Sequence, residues 1–248
     1  ALMLLRVPVS FAMLLSTLGC ALVTGTNFSV LVRQMVDGVN NFSLLSIPFF
    51  ILMGEIMGAG GISDKIIDLA NLAVGRFRGG LAYVNCLSSM FFGGISGSAV
   101  ADVSSLGSVV IPMMKQQGYT DDFSVGLTVT TACQGVLIPP SHNMVIYALA
   151  AGGVSIGTLF MAGLLPGIAL GCGMIIMCML MAKRYNFPKG EGVAKGEGIK
   201  ILLRGILPMM TLVIIMVGTG AGVFTATEAS AIACVYTMFL SMVVFRSV

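Results

Sequence analysis

The segment Gly93-Gly94-Ile95-Ser96-Gly97-Ser98-Ala99-Val100-Ala101-Asp102 places one carboxylate beside two hydroxyls in a glycine-rich turn, with apolar runs on both sides. Carboxylate, hydroxyl and free turn carbonyl oxygens together form the ligand set of a hard cation such as Na⁺. A charged side chain costs about 2.5–3.5 kcal/mol at the centre of a membrane helix, so Asp102 requires a reason to be there. One reason is a cation site. The other is structural, with Asp102 capping the following helix and the serines satisfying turn amides; the two are compatible. A second interruption, Ile138-Pro139-Pro140-Ser141-His142-Asn143, breaks the apolar run Phe123–Ala151. Neither proline can donate an N–H, and the residue before a proline avoids the α region. The break frees carbonyls near the hydroxyls of Thr130, Thr131 and Ser141, and opposed half-helix N-termini there attract an anion. His142 and Asn143 stand where the helix resumes and can donate to a carboxylate or hydroxyl, although a lone histidine is more often a structural group.

Other polar positions have plainer readings. Glu55 is expected to snorkel or pair with a basic neighbour, and Glu228 to complement a helix N-terminus capped by Thr225 or Thr227. Pro48, Pro166 and Pro208 near span entrances read as structural. The six cysteines lie in apolar runs without a Cys-x-x-Cys pair, so they read as packing residues, and one histidine is too few for a Cys/His metal cage. Phosphate-loop, Gly-x-Ser-x-Gly and His-Glu-x-x-His motifs are missing, so any work the protein does must draw on a gradient or a partner.

These groups sit in a chain that belongs in a bilayer. Of 248 residues, 57% are hydrophobic and 9% charged, with a mean hydropathy of +1.01. A soluble domain carries roughly a quarter charged residues. The net charge of +3 supplies no basic patch for nucleic acid. The fold class is therefore an all-α polytopic membrane protein. Both ends fall within apolar runs, as expected of a fragment. Spanning helices are expected at Leu2–Val23, Leu44–Met57 (extended through Gly58–Gly61), Ile156–Ala182, Ile201–Val223 and Ala226–Phe245. The arms flanking Gly93–Asp102, Leu81–Phe92 and Val103–Met114, have about 12 residues each, roughly 18 Å, too short to cross. They predict a re-entrant hairpin. Ile62, Ile66, Leu69 and Ala73 share a helical face away from Asp64, Lys65, Asp68 and Asn71, which predicts an interfacial amphipathic helix. Lys183–Lys200, rich in glycine and charge, reads as a linker between two halves.

Charge placement orients these elements. If residues 24–43 lie outside and 81–115 form a hairpin, then 62–80, 116–122 and 183–200 lie inside. Twelve of the thirteen basic residues then lie on that side, leaving Arg33 outside. A single crossing by 81–115 would destroy this bias.

Together with Ile111-Pro112-Met113-Met114-Lys115, Gly118-Tyr119, Ile47-Pro48-Phe49-Phe50-Ile51-Leu52-Met53-Gly54-Glu55 and Ala226-Thr227-Glu228-Ala229, the two interruptions resemble the large membrane subunit of TRAP (tripartite ATP-independent periplasmic) transporters, of the DctM type. The resemblance covers essentially the whole chain. Ser141-His142-Asn143 followed by Tyr147-Ala148 is similar to the dicarboxylate branch. The resemblance implies an inverted-repeat, elevator-type secondary transporter, of which this chain holds the first repeat and the start of the second. Its division would be 1–61 scaffold helices, 62–80 arm helix, 81–151 transport-domain hairpin and broken helix, 152–182 a transmembrane helix, 183–200 a cytoplasmic linker, and 201–248 the start of the second repeat. The spans at Leu2–Val23, Leu44–Gly61 and Ile156–Ala182 would mostly frame the moving part. Ser96, Ser98 and Asp102 match sodium-site positions, with backbone from Pro139 to Ser141. Substrate would meet Ser98, Ser141, His142 and Asn143.

The implied partners are a small membrane subunit, a periplasmic substrate-binding protein and a small organic acid, C4-dicarboxylate-like. Na⁺ is the coupling ion, no other cofactor is expected, and the location is the bacterial inner membrane. Family members usually exceed 400 residues, and the second hairpin and second broken helix are missing here, so this chain alone should not transport. Arg6 and Ala226 replace residues that are often glycine and proline in the family. Competing readings are an ATP-driven permease, which needs a coupling helix on its inner loops, an intramembrane enzyme, which would lose all activity in His142→Ala, and a structural subunit, which would tolerate Asp102→Ala.

Overall fold

A computed structural model describes residues 6–190 and 196–246. The opening run Ala1–Leu5, the linker residues 191–195 and the last two positions lie outside the described residues. All regular structure among the described residues is helical, apart from an isolated antiparallel bridge between Arg78 and Lys189. The helices fall into two units, residues 1–42 and 43–248.

The first unit holds α1 (Val9–Thr24) and α2 (Phe28–Val39). Helix α1 begins after Pro8 and ends at Gly25, whose φ of 67° suits glycine; the expected start at Leu2 lies outside the described residues. Helix α2 occupies most of residues 24–43, for which no element is expected from the sequence. Asn27 caps it by accepting from the Ser29 N–H at 3.0 Å. Phe28, Leu31, Val32, Met35, Val36 and Val39 repeat at helical spacing, a signal masked by a length too short to span.

The second unit begins with α3 (Ser46–Ala59), preceded by one 3₁₀ turn. Gly61, at φ 61°, then turns the chain into α4 (Ile62–Val74). Ile62, Ile66 and Ala70 are fully buried on α4, while Asp64 and Asp68 are exposed, as the amphipathic pattern predicts. Leu69 lies on the flank instead, against the bare backbone of Gly205, where an added Cβ would stand 2.7 Å from the Leu69 Cβ.

The hairpin is α5 (Gly80–Ser96) and α6 (Ala99–Gln116). Its arms are longer than expected, because Gly93–Ser96 and Ala99–Asp102 are helical and only Gly97 and Ser98 form the turn. Gly97 has φ 62° and its N–H closes on the Gly93 carbonyl at 2.7 Å; Ser98 caps α6 by accepting from the Ala101 N–H at 3.3 Å. Arms of 17 and 18 residues reach roughly 26 Å, so length alone does not decide the topology. Contacts exclude a single crossing. Asn85 Nδ2 lies 3.7 Å from Met114 Sδ near the far end of the other arm. The loops before and after the hairpin also meet the end of α9 (Ile156–Arg184). Arg78 Nε donates to the Phe187 carbonyl at 3.1 Å, and the Tyr119 and Phe187 rings lie 4.7 Å apart. Segments 75–80, 117–120 and 185–190 therefore share one basic end of the unit, as the charge placement requires.

The broken helix is α7 (Asp121–Gly135) and α8 (His142–Ala151), so the break runs from Val136 to Ser141, two residues earlier at each end than expected. Ser141 is the extended residue preceding α8, which makes His142 and Asn143 helical. Helices α10 (Gly198–Gly220) and α11 (Ala226–Phe239, continued by a π turn) follow. Phe42–Ala59, α9, α10 and Ala226–Phe245 are long and apolar enough to cross a membrane. Helices α9 and α10 each extend into the expected linker, and Pro166 and Pro208 lie inside α9 and α10 rather than at their entrances. Three cysteines, Cys86, Cys178 and Cys234, are buried and pack as expected; Cys20, Cys133 and Cys172 are exposed.

Glu228 and Thr225 form a reciprocal capping box, with the Thr225 N–H donating to Glu228 Oε2 at 2.8 Å and the Glu228 N–H to Thr225 Oγ1 at 3.3 Å. Thr225→Ala should cost about 1 kcal/mol, read as a lower midpoint in detergent unfolding. Glu55 is exposed and, among the described residues, takes part in no ion pair, contrary to the pairing considered for it.

Candidate functional site

Missing side chains bring the hairpin and the broken helix together. Gly93 on α5 meets Gly135 at the end of α7 backbone to backbone: a Cβ on Gly135 would stand 2.8 Å from Gly93 Cα. One turn further along, a Cβ on Gly97 would lie 2.8 Å from Ser141 Cα and 3.0 Å from the His142 nitrogen. Ser141 Oγ donates to the Gly97 carbonyl at 3.5 Å. Helix α3 closes on the same tip, since a Cβ on Gly54 would stand 3.2 Å from Ser96 Cβ. The glycines of the hairpin and of the Ile47–Glu55 run therefore serve close approach.

Asp102 lies within this contact. It is 1% exposed; neither carboxylate oxygen makes a hydrogen bond of good geometry, and the Ser89 side chain is a donor close enough to act on it. A Cβ built on Gly135 would also stand 3.5 Å from Asp102 Oδ2 and 3.2 Å from the Ser89 carbonyl, so both oxygens border the Gly93–Gly135 contact. Two oxygens thus converge beside an exceptionally close backbone pair. The cap of α6 is Ser98 rather than Asp102, which lies in the first turn of the helix, where a carboxylate complements the dipole. An unpaired buried carboxylate is costly unless something positive joins it.

The expected site separates into two neighbouring clusters. Ser96, Ser98 and Ser141 gather at the tip, where the Ser96 hydroxyl accepts from the Ser98 N–H at 3.3 Å. Their role in satisfying turn amides is therefore real. Asp102 sits one helical turn deeper, beside Ser89 and Gly135, which sequence reasoning did not select. The Pro139 carbonyl faces Gly94, 3.5 Å from where its Cβ would be. His142 is half-buried at the tip, whereas Asn143 is exposed on α8.

Below Asp102, α5 and α7 are joined by buried polar groups. Asn85 Nδ2 donates to Thr128 Oγ1 at 2.7 Å, Ser89 Oγ donates to Thr131 Oγ1 at 3.2 Å, and Thr131 Oγ1 donates to Asn85 Oδ1 at 3.4 Å. Thr120, Ser124, Thr128 and Thr131 recur at four- and three-residue spacing, a hydroxyl stripe visible in the sequence once α7 is drawn as a helix. Thr130, expected to serve the break, is exposed and donates to the Gly126 carbonyl at 2.7 Å instead. Asn85→Ala should cost roughly 2 kcal/mol by stranding buried partners, measurable as an earlier midpoint in titration with a denaturing detergent.

Comparisons with known proteins identify relatives of the chain. A family model described as "Tripartite ATP-independent periplasmic transporter, DctM component" matches residues 1–248. The chain is 40% identical over 246 residues to a putative TRAP transporter large permease protein of Haemophilus influenzae, covering 98% of this chain and 57% of that protein. It is 37% identical over 243 residues to the sialic acid TRAP transporter large permease protein SiaM of Vibrio cholerae, covering 97% and 56%. It is 38% identical over 213 residues to the C4-dicarboxylate TRAP transporter large permease protein DctM of Pseudomonas aeruginosa, covering 86% and 50%. The chain spans about half the length of these relatives.

Proposed function

The chain belongs to the DctM family of tripartite ATP-independent periplasmic transporters, and from that premise we propose that it supplies the first repeat of a Na⁺-coupled importer of small organic acids. Asp102 carries the proposal: a buried, unpartnered carboxylate where two glycines let a hairpin and a broken helix touch. In this reading Na⁺ enters beside Asp102 and the Ser89 carbonyl, with the tip oxygens of Ser96, Ser98, Pro139 and Ser141 nearby. Its charge removes the penalty of the buried carboxylate and favours the closed contact between hairpin and break. A substrate carboxylate then meets hydroxyls and helix N-termini at Ser98, Ser141, His142 and Asn143.

The relatives' named substrates, sialic acid and C4-dicarboxylates, both carry carboxylates, which supports an anionic substrate without choosing between them. Delivery by a periplasmic binding protein, bracing by a small membrane subunit and residence in the inner membrane complete the proposal. Helices α5–α8 would move together as the elevator. Helix α9, which packs against α5, α7 and α8 on one side and α10 on the other, would belong to the frame along which they move. The relatives are permeases, not enzymes, and the family is described as ATP-independent, so the enzyme and ATP-driven readings fall away.

The test uses the full-length subunit with its small subunit and binding protein in proteoliposomes. Labelled C4-dicarboxylate and sialic acid are offered under an inward Na⁺ gradient or with K⁺ alone. One charge moved through 100 mV is worth about 2.3 kcal/mol, so at least one substrate should accumulate with Na⁺ and not with K⁺. Equal uptake in both salts would overturn Na⁺ coupling.

A further inference from the structure

The basic end of the second unit carries two connected hollows between α7 and α9. The mouth, about 480 Å³, is lined by Asp122, Phe123, Tyr185, Asn186 and Phe187. A trough of about 200 Å³ leads away from it along Met181, Met177, Met174 and Leu127. Asp122, Phe123 and Met181 border both. Mouth and trough differ in chemistry. Around the mouth, Phe123 and Phe187 have ring centroids 4.8 Å apart, and Tyr185 and Phe187 lie at 6.2 Å, beside a carboxylate that is exposed and in no ion pair among the described residues. Aromatic faces with a carboxylate select an ammonium group. The Arg184 guanidinium stands 5.9 Å over the ring of Tyr185, one of the lining residues, and so brings a positive charge to the rim. The trough offers flexible thioethers and apolar carbon, surface that adapts to a mobile hydrocarbon chain.

From this pairing we infer a binding site for a phospholipid with a primary ammonium headgroup, as in an ethanolamine phospholipid. Its ammonium pairs with Asp122 and the aromatic faces, its phosphate with Arg184, and one acyl chain lies in the methionine trough. The charges favour this lipid over a glycerol headgroup, which with the same phosphate placement would offer Asp122 hydroxyls but no positive charge. Location agrees with the chemistry, because Lys115, Lys183, Arg184 and Lys189 share this end, and basic loops mark the cytoplasmic surface where headgroups lie. Aromatic residues are also favoured at that depth. The inference needs the membrane orientation alone and does not depend on Na⁺ coupling.

The test uses full-length protein in mild detergent, stripped of lipid and titrated with ethanolamine or glycerol phospholipid of identical acyl chains. Thermal unfolding and native mass spectrometry are the readouts. Ethanolamine lipid should raise the unfolding midpoint and be retained, and glycerol lipid should do neither to the same extent. Asp122→Asn should weaken retention about tenfold, the loss of one charge-assisted contact. Met177→Trp, filling the trough, should weaken it independently, so a folding defect in either variant does not decide the matter. Equal effects of the two lipids would overturn the site, as would an ethanolamine preference untouched by both substitutions. So would a Met177→Trp variant that loses the small membrane subunit while keeping the lipid, because the trough would then belong to a protein helix.

Discussion

Gly93→Ala should leave the full-length protein poorly folded and nearly inactive, although it adds one methyl group to a helix. That carbon would be driven into the Gly135 backbone, where no flexible side chain can give way. Overpacking usually costs about 1–3 kcal/mol, and a backbone-to-backbone clash belongs at or above the top of that range. Gly94→Ala should be milder, since its added carbon meets Ile138 Cγ2 at 2.8 Å and Leu212 Cδ1 at 3.1 Å, the ends of movable side chains. Gly126→Ala supplies the opposite sign. Nothing lies within 4 Å of its added Cβ on α7, and glycine costs a helix about 1 kcal/mol relative to alanine. Unfolding midpoints of the three variants in detergent should therefore fall in the order Gly126→Ala, wild type, Gly94→Ala, Gly93→Ala. A Gly93→Ala protein as stable as wild type would show that hairpin and break do not touch as described.

Asp102→Asn should separate stability from function. The carboxylate is buried without a partner, so in K⁺ alone the neutral amide should be no less stable than wild type, and more stable if the acid is charged. Uptake should nevertheless fall by about 100-fold, equivalent to roughly 3 kcal/mol of lost ion binding. Measuring expression, K⁺-state unfolding and Na⁺-driven uptake on one preparation tests both halves of the statement. Lost uptake together with lost folding would make Asp102 a structural residue.

The legible parts of this fold were those governed by composition and periodicity. Four long apolar helices, the amphipathic α4, the proline break and the Glu228 capping box follow from local rules that act within a few residues. Hairpin topology was legible for a different reason: twelve basic residues share one side only if the chain turns back. What stayed hidden depended on neighbours. Gly93 and Gly94 look like turn residues in isolation, yet they continue α5, because a glycine inside a helix is tolerated where another backbone must approach. For the same reason the turn shrank from ten residues to Gly97 and Ser98. Asp102 was identifiable as a charge inside an apolar run, but Ser89 and Gly135 were not, since one contributes a carbonyl and the other an absence. Asn85 and Thr128 go unmarked, and Thr131 is assigned to the break rather than to Asn85, because polar uncharged residues in an apolar segment carry no distinctive spacing until two helices are paired.

The central claim is that Na⁺ occupies the space beside Asp102, and the direct measurement is the unfolding midpoint of full-length protein in NaCl and in KCl at equal ionic strength. A ligand that binds only the folded state stabilises it by RT ln(1 + [L]/Kd), about 2.7 kcal/mol at a hundredfold excess over Kd. Wild type should become more stable as Na⁺ replaces K⁺, with the increment growing as the logarithm of concentration, and Asp102→Asn should lose most of that increment while keeping its K⁺ midpoint. Identical midpoints for wild type in the two salts, or a Na⁺ increment that survives Asp102→Asn intact, would contradict the account.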